Sequence, residues 1–194
     1  MYRCWVCTLL LMVPAHLASA QGPAGAAPVD SSTLKDRHAL QVFVRLVETS
    51  VVSAAEAMPA DKYGFAPTEG EFSGVRTFGM QAKHLAAANY ILAAAALGQD
   101  PPADAGDEAG PDTVRTKDAI LKYLRGSFTT LGNAAAAIGD RAIAVRTSPI
   151  SPLQGTTATR LALIAEALVH SFDHYGQMVV YLRMNGVVPP ASRR

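Results

Sequence analysis

Four stretches of the chain carry apolar residues at steps of three and four, which is the repeat of an α-helix that buries one face. Segments rich in glycine and proline separate these stretches, and none of the stretches alternates in the manner of a β-strand. The repeat predicts helices at about 33–57, 75–97, 112–138 and 158–184. Such helices bury their apolar faces against one another, so the sequence predicts an all-α fold, an up-and-down four-helix bundle.

The first twenty residues have the composition of a secretory signal peptide. Arg3 precedes an apolar run from Trp5 to Val13, and Ala18-Ser19-Ala20 is a cleavage site of the small-x-small type. The apolar run is shorter than the ~20 residues that span a bilayer. We therefore expect a signal peptide at 1–20, a flexible tether rich in Gly, Pro and Ala at 21–30, and one domain at 31–194 that is secreted or periplasmic after cleavage.

The positions of the cysteines and the net charge restrict the metal ligands and the partners expected of the mature chain. Both cysteines, Cys4 and Cys7, lie in the predicted signal peptide, so a metal in the mature chain would be bound by His, Asp or Glu. The chain has 17 basic and 16 acidic residues, and cleavage removes only Arg3 among them, so the mature net charge is about zero. This balance indicates no nucleic-acid partner, and the mature sequence predicts no membrane span.

The fourth predicted helix contains two histidines, His170 and His174, four residues apart. This spacing places both rings on one face of a helix, one turn apart, where they could share a divalent cation. The alternative is a partly buried polar pair that neighbouring side chains satisfy. Glu166, one turn earlier, would orient a ligand or a water, or would form a salt bridge at the helix end, and Asp173 is a candidate to hydrogen-bond a ligand.

A third histidine, His84, lies on the inward stripe of the second predicted helix, beside Met80, Gln81 and Ala88. It is either a satisfied core residue or a third ligand. His38 lies on the polar face of the first helix, so we expect it to face solvent. Facing helices of a bundle direct their side chains into one core, and convergence of His84 with the pair on helix 4 would form a three-imidazole site with open coordination positions.

Two long connections interrupt the helices. The segment 58–74 either lines the mouth of a pocket or is only a packed loop, and we expect Tyr63, Phe65 and Phe72 to hold it against the bundle. The segment 99–112 contains five acids and no base, and its spacing lacks the fixed offsets of a calcium loop. It is therefore predicted to be a solvated loop; its acids are Asp100, Asp104, Asp107, Glu108 and Asp112.

The fourth helix is apolar on two sides, which is more than one bundle core can cover. One side carries the histidines. The bulkier side is predicted to lie at a homodimer interface, where Gly176 would permit a close helix crossing. The bulkier stripe consists of Leu161, Ile164, Leu168, Phe172, Tyr175, Val179 and Leu182.

Two motifs together resemble the DinB-like (damage-inducible) family of bacterial metal-binding four-helix bundles. They are Lys83-His84-Leu85-Ala86, which follows the loop Tyr63 to Thr68, and the segment from His170 to Arg183 that contains His170-Ser171-Phe172-Asp173-His174. The resemblance covers about 30–190. It implies a homodimeric bundle in which His84, His170 and His174 bind a divalent metal ion, zinc or nickel.

The resemblance does not fix a reaction, because the superfamily includes thiol-dependent transferases and isomerases as well as members without a known activity. One hypothesis is an exported metal-dependent hydrolase or transferase that acts on a small-molecule substrate. The alternative is a non-catalytic bundle, stabilised by the metal, that binds a partner. A catalytic site requires a solvent-connected cavity beside the rings, whereas a structural site is closed by a fourth protein ligand.

Overall fold

The computed structural model describes residues 36–105, 108–138, 144–145 and 158–193. The predicted signal peptide at 1–20 and tether at 21–30 lie outside these residues. Four helices account for most of the described chain, which confirms the predicted all-α four-helix bundle. The helices are α1 (Asp36–Ala57), α2 (Phe78–Leu97), α3 (Lys117–Ala137) and α4 (Arg160–Met184).

A short antiparallel pair of strands precedes α4. The strands are β1 (Ala144–Val145) and β2 (Ala158–Thr159), with Ala144 opposite Thr159. Each strand has two residues, too few for an alternating pattern to show in the sequence. Single 3-10 turns occur at Ala60–Lys62, Ala103–Ala105 and Pro190–Ser192.

Threonines fix the starts of three helices. The hydroxyls of Thr77, Thr116 and Thr159 each accept a hydrogen bond from the amide three residues later, which satisfies one of the free donors of a first helical turn. These caps place the starts of α2 and α3 three to five residues later than the apolar repeat predicts. The start of α4, capped by Thr159, lies within two residues of the predicted one.

The order of the helices around the bundle refines the predicted topology. Both α1 and α2 pack against α3 and α4, so α1 and α2 lie diagonally opposite each other. Asn89 of α2 contacts Ser127 of α3, while Gly79 lies beside Ile120, so these two helices run in the same direction. The bundle is therefore up-down-down-up rather than strictly alternating.

The connection between α2 and α3 explains this topology. A 20-residue helix is about 30 Å long, and the segment 98–116 is long enough to return over that distance when extended. Lys83 near the start of α2 donates from Nζ to the carbonyl of Pro111, 3.2 Å away, so the segment does return along α2. Residues of the acidic connection are thereby brought beside the inward face of α2.

Packing selects one side of α1 and corrects the predicted dimer stripe of α4. On α1 the core positions are Leu40, Val44, Val47 and Val51, whereas Phe43 and Leu46 stay about half exposed, because packing against α3 and α4 selects one side of a helix that is apolar on two. On α4, Ile164 and Leu182 of the predicted dimer stripe are fully buried within the bundle. The exposed apolar side chains of α4 are instead Val169, Phe172, Val180 and Met184.

None of the helices in the described ranges combines the length and the hydropathy that crossing a bilayer requires.

Candidate metal centre

The three predicted histidines meet in the core between α2 and α4. The ring centroids of His84 and His170 lie 5.1 Å apart, those of His84 and His174 lie 4.8 Å apart, and those of His170 and His174 lie 4.6 Å apart. One ligand atom from each ring lies within 4.8 Å of the others. The antiparallel packing of α2 on α4 thus produces the convergence that the helical spacing made possible. His38, in contrast, is exposed on α1, as expected.

Hydrogen bonding fixes the tautomer of His84. Its Nδ1 lies 3.0 Å from the carbonyl oxygen of Glu108 and 3.2 Å from the Glu108 carboxylate. Both groups are acceptors towards a neutral ring, so Nδ1 carries the proton and Nε2 carries a lone pair. His84 Nε2 lies 3.2 Å from His170 Nε2 and is therefore directed into the cluster.

The other two rings also have nitrogen available for a ligand. His174 Nδ1 lies 3.3 Å from Oε1 of the buried side chain of Gln81, so its Nε2 is the remaining ligand atom. His170 Nδ1 is buried and has no hydrogen-bond partner among the described residues. Buried polar atoms without a partner are uncommon in native proteins and often mark a functional site.

The electrostatics keep these rings neutral. Burial, followed by the charge of His84, lowers the pKa of His170 to about 4. Burial, followed by the charges of the two other histidines, lowers the pKa of His174 to about 3. The pKa of His84 is lowered as well, first by burial and then by the charge of Arg76. Neutral imidazole is the form that ligates metal, so the rings are in that form at pH 7.

The donor set fits a divalent cation. Two metal–nitrogen bonds of about 2.0–2.1 Å at a tetrahedral angle place their nitrogens about 3.3 Å apart, close to the 3.2 Å between His84 Nε2 and His170 Nε2. Among the described residues, the group that could hold a metal ion consists of the three histidines alone. Three protein ligands leave further coordination positions for water or substrate.

A cavity of about 470 Å³ lies beside the cluster. His174 and Gln81 are buried at its inner end, while the other lining residues are exposed, so the cavity connects the cluster to solvent. Part of its wall comes from the end of the connection between α1 and α2, as one of the two readings of that loop predicted. The lining residues are Gly74, Val75, Arg76, Met80, Gln81, His174 and Gln177.

The same connection is held against the bundle by two of its three aromatic residues. The hydroxyl of Tyr63 donates to the carbonyl of Ala55, 2.7 Å away, and the ring of Phe65 packs edge-on against Tyr181 with centroids 5.6 Å apart. Phe72 is 40% exposed, so the expectation that it holds the loop in place is wrong. Tyr181 also donates from its hydroxyl to the carbonyl of Arg76, which fixes the wall of the cavity.

Sequence reasoning missed the ring partners of the site. Glu108 belongs to a connection that was predicted to be solvated, yet its side chain is one-third exposed and contacts His84. Its backbone adopts a left-handed conformation with φ 77°, which is uncommon for a residue with a side chain. The sequence does not distinguish Glu108 from the other four acids of the loop. The return of the chain along α2 is what places it beside His84.

Of the two acids that the sequence proposed near the histidine pair, Asp173 has a hydrogen-bond partner other than a ring. Asp173 is exposed and accepts a hydrogen bond from Gln177 Nε2, 2.8 Å away, so it acts on His170 only through its charge. Glu166 is partly buried on α4, one turn before His170. The observed hydrogen-bond partners of the rings are Glu108 and Gln81.

The comparisons with known proteins agree with the fold and the site. No curated protein matches the chain. The model of the DinB superfamily matches residues 45–178, a region that contains all three histidines and covers well over half of the chain. The resemblance that the two histidine motifs indicated is therefore confirmed, and the chain belongs to the DinB superfamily.

Proposed function

We propose that this protein binds one divalent metal ion, zinc or nickel, through His84, His170 and His174, and that it is a metal-dependent hydrolase or transferase for a small-molecule substrate. When bound, the cation supplies Lewis-acid chemistry, the activation of a substrate or of water. The proposal rests on the convergence of three neutral rings that have ligand atoms within 4.8 Å of one another.

The cavity beside His174 favours this proposal over a purely structural site. A structural zinc is enclosed by four protein ligands, whereas a catalytic one keeps a position that solvent or substrate can reach. Here the candidate group in the described ranges has three ligands, and the adjoining cavity has a volume within the usual range of small-molecule sites, about 300–1,000 Å³.

Metal analysis tests the binding proposal. The mature protein, purified without chelators, is expected to contain about one zinc or nickel per chain by elemental mass spectrometry. The variants His84→Ala and His170→Ala remove a ligand each and should lose the ion, while His38→Ala, at an exposed histidine, should retain it. A parent protein without stoichiometric divalent metal would refute the proposed function.

Access to the ion separates the catalytic hypothesis from the structural one. Cobalt substituted into the site gives visible absorption that changes when an external ligand enters the coordination sphere. Azide is expected to change this spectrum if the site is open. An unchanged spectrum at saturating azide would indicate a closed, structural ion and would favour the non-catalytic alternative.

Export is a further part of the proposal, and it is supported by the sequence of residues 1–20. The full-length chain, expressed in a bacterium, should appear outside the cytoplasm with Gln21 as its first residue, as read by mass spectrometry of the intact protein. Retention of residues 1–20 in a cytoplasmic product would contradict export.

We also propose that the protein is a homodimer that uses the exposed face of α4. Val169, Phe172 and Val180 are 71%, 42% and 52% exposed. Together with Gly176 they recur at steps of three and four, so they share one face of the helix. Phe172→Glu is expected to convert a dimer to a monomer in light scattering, whereas Phe72→Glu, at an equally exposed phenylalanine in a loop, should not.

A further inference from the structure

Arg76 lies at the outer part of the cavity whose inner end is His174. Its side chain is exposed and lines the cavity, and its carbonyl accepts the hydrogen bond from Tyr181 that fixes the local backbone. Within the described ranges, no carboxylate lies within salt-bridge distance of its guanidinium. The cation is therefore available to a ligand that enters the cavity.

The described residues that line the cavity carry one full charge, that of Arg76. None of these described residues is acidic. Two carboxylates near the histidines have other partners: Glu108 contacts His84 Nδ1, and Asp173 accepts a hydrogen bond from Gln177. The charge of Arg76 reaches the rings of all three histidines, and at His170 the charges of Glu108 and Asp173 act with the opposite sign. A cation held by those rings would add to the same field, which favours an anionic ligand.

The start of α2 favours a carboxylate over a phosphate. Phosphate sites commonly use free backbone amides at a helix N-terminus, but these amides are occupied here. The amides of Phe78 and Gly79 donate to the carbonyls of Phe65 and Tyr63, each at 2.8 Å, and the amide of Met80 donates to the Thr77 hydroxyl. Recognition is left to one planar guanidinium, whose two parallel N–H groups pair with the two oxygens of a carboxylate; they also fit phosphate, but the amides that a phosphate site adds are not free here.

The geometry points to a carboxylate subsite: Arg76 binds the carboxylate of a small organic substrate and directs its other end towards the three histidines. This inference rests on the proposed metal function, because the ion defines the inner end of the site. Val75 and Met80 supply apolar wall beside the guanidinium, so a carboxylate attached to an apolar body is the class of substrate that the cavity fits.

The test uses the mature protein loaded with cobalt, and benzoate as the probe. Benzamide serves as a neutral probe of the same shape, and inorganic phosphate as a competing anion. We expect benzoate to bind about tenfold more tightly than benzamide, and Arg76→Gln to weaken benzoate about tenfold without changing benzamide. Arg76→Lys, which keeps the charge but not the planar fork, should lie between the two. Arg45→Gln, at an exposed arginine of α1, should match the parent.

Each outcome of this titration bears on a defined claim. Equal benzoate affinity in the parent and in Arg76→Gln, both with full cobalt content, would overturn the subsite and leave the metal centre intact. Stronger binding of phosphate than of benzoate would overturn the carboxylate class. Absence of benzoate binding by the loaded parent would also overturn the subsite. Failure of the parent to bind cobalt would overturn the proposed function and this inference together.

Discussion

Helices α1 and α3 bury apolar side chains almost throughout, whereas α2 and α4 bury most of the polar side chains of the described core. Every buried position of α1 is apolar, and Ser127 is the one buried polar residue described in α3. In contrast, α2 and α4 bury two amides, two histidines and one hydroxyl, namely Gln81, Asn89, His84, His174 and Ser171. All four helices contribute to the apolar core, and the pair α2–α4 in addition carries the candidate chemistry.

Helices α2 and α4 have to provide hydrogen-bond partners for their buried polar side chains, because each unpaired buried polar group costs about 1–3 kcal/mol of folding free energy. Asn89 donates to Ser127 at 3.3 Å and accepts from Ser171 at 3.4 Å, which links α2 to both of its neighbours. Gln81 similarly pairs with His174. His170 Nδ1 remains without a partner in the described chain. This difference predicts that the helix pairs α1–α3 and α2–α4 respond differently to acid, to core mutation and to loss of the metal ion.

Acid should have the largest effect on the free energy of unfolding, and it should act through the histidines of α2 and α4. In the metal-free protein the imidazoles are neutral above pH 6.5 in both states. Below that pH the unfolded chain binds protons, whereas folded His170 and His174, with pKa values of about 4 and 3, do not. The free energy of unfolding should therefore fall as pH decreases from 6.5 to 4.5, by about 1.4 kcal/mol per pH unit for each ring.

Urea unfolding at several pH values measures this dependence. The double variant His170→Gln/His174→Gln lacks both rings and should show a shallower decrease than the parent over the same range. Equal slopes in the two proteins would mean that the rings take up protons as readily in the folded state as in the unfolded chain.

A cavity in the apolar core at α3 should lower the stability of the fold without affecting its metal content. Leu131 of α3 is fully buried, so Leu131→Ala is expected to lower the free energy of unfolding by about 2–5 kcal/mol. The folded fraction should keep its metal content, as measured by elemental analysis after gel filtration. Loss of metal in a variant that remains folded would show that the packing of α3 is coupled to the metal centre.

Removal of the Glu108 carboxylate, which contacts His84 Nδ1, should moderately weaken metal binding. Glu108→Gln keeps the backbone carbonyl that accepts from His84 Nδ1 but neutralises the side chain. Groups that orient metal ligands in this way contribute about 10–100-fold to metal affinity, and we expect the lower part of that range. Glu56→Gln, which alters an exposed carboxylate paired with Arg125, is the matched control, and competition with a chromophoric chelator gives the affinities. Identical affinities in both variants would assign no role to the Glu108 carboxylate.

The smallest expected effect concerns the exposed face of α4. A methyl group at Gly176 would meet no atom within 4 Å in the single chain, so Gly176→Ala should stabilise the isolated helix by about 1 kcal/mol. If α4 helices cross closely at this glycine in a homodimer, the same change should weaken dimerisation. Thermal unfolding and sedimentation measure the two quantities, and an unchanged dimer affinity would place the interface elsewhere.

The histidines of the site could be predicted from the sequence because helix spacing acts over one turn. His170 and His174 must share a face of any helix that contains both, and the inward position of His84 follows from the apolar residues around it. The faces of α1 and α4 were harder to predict. Both helices are apolar on two sides, and packing alone selects the buried side: Ile164 of the predicted dimer stripe lies in the core, and Phe43 of α1 is half exposed.

The sequence by itself determined four helices, a bundle and three histidines on inward faces, because periodicity and chain breakers are local properties. Only the tertiary structure decided that α2 and α3 run parallel, and that the connection 98–116 therefore returns along α2. That return places Glu108 behind His84, and the end of the other long connection places Arg76 in the cavity beside His174. Both contacts join residues distant in sequence, and their positions depend on the path of the chain rather than on any local pattern.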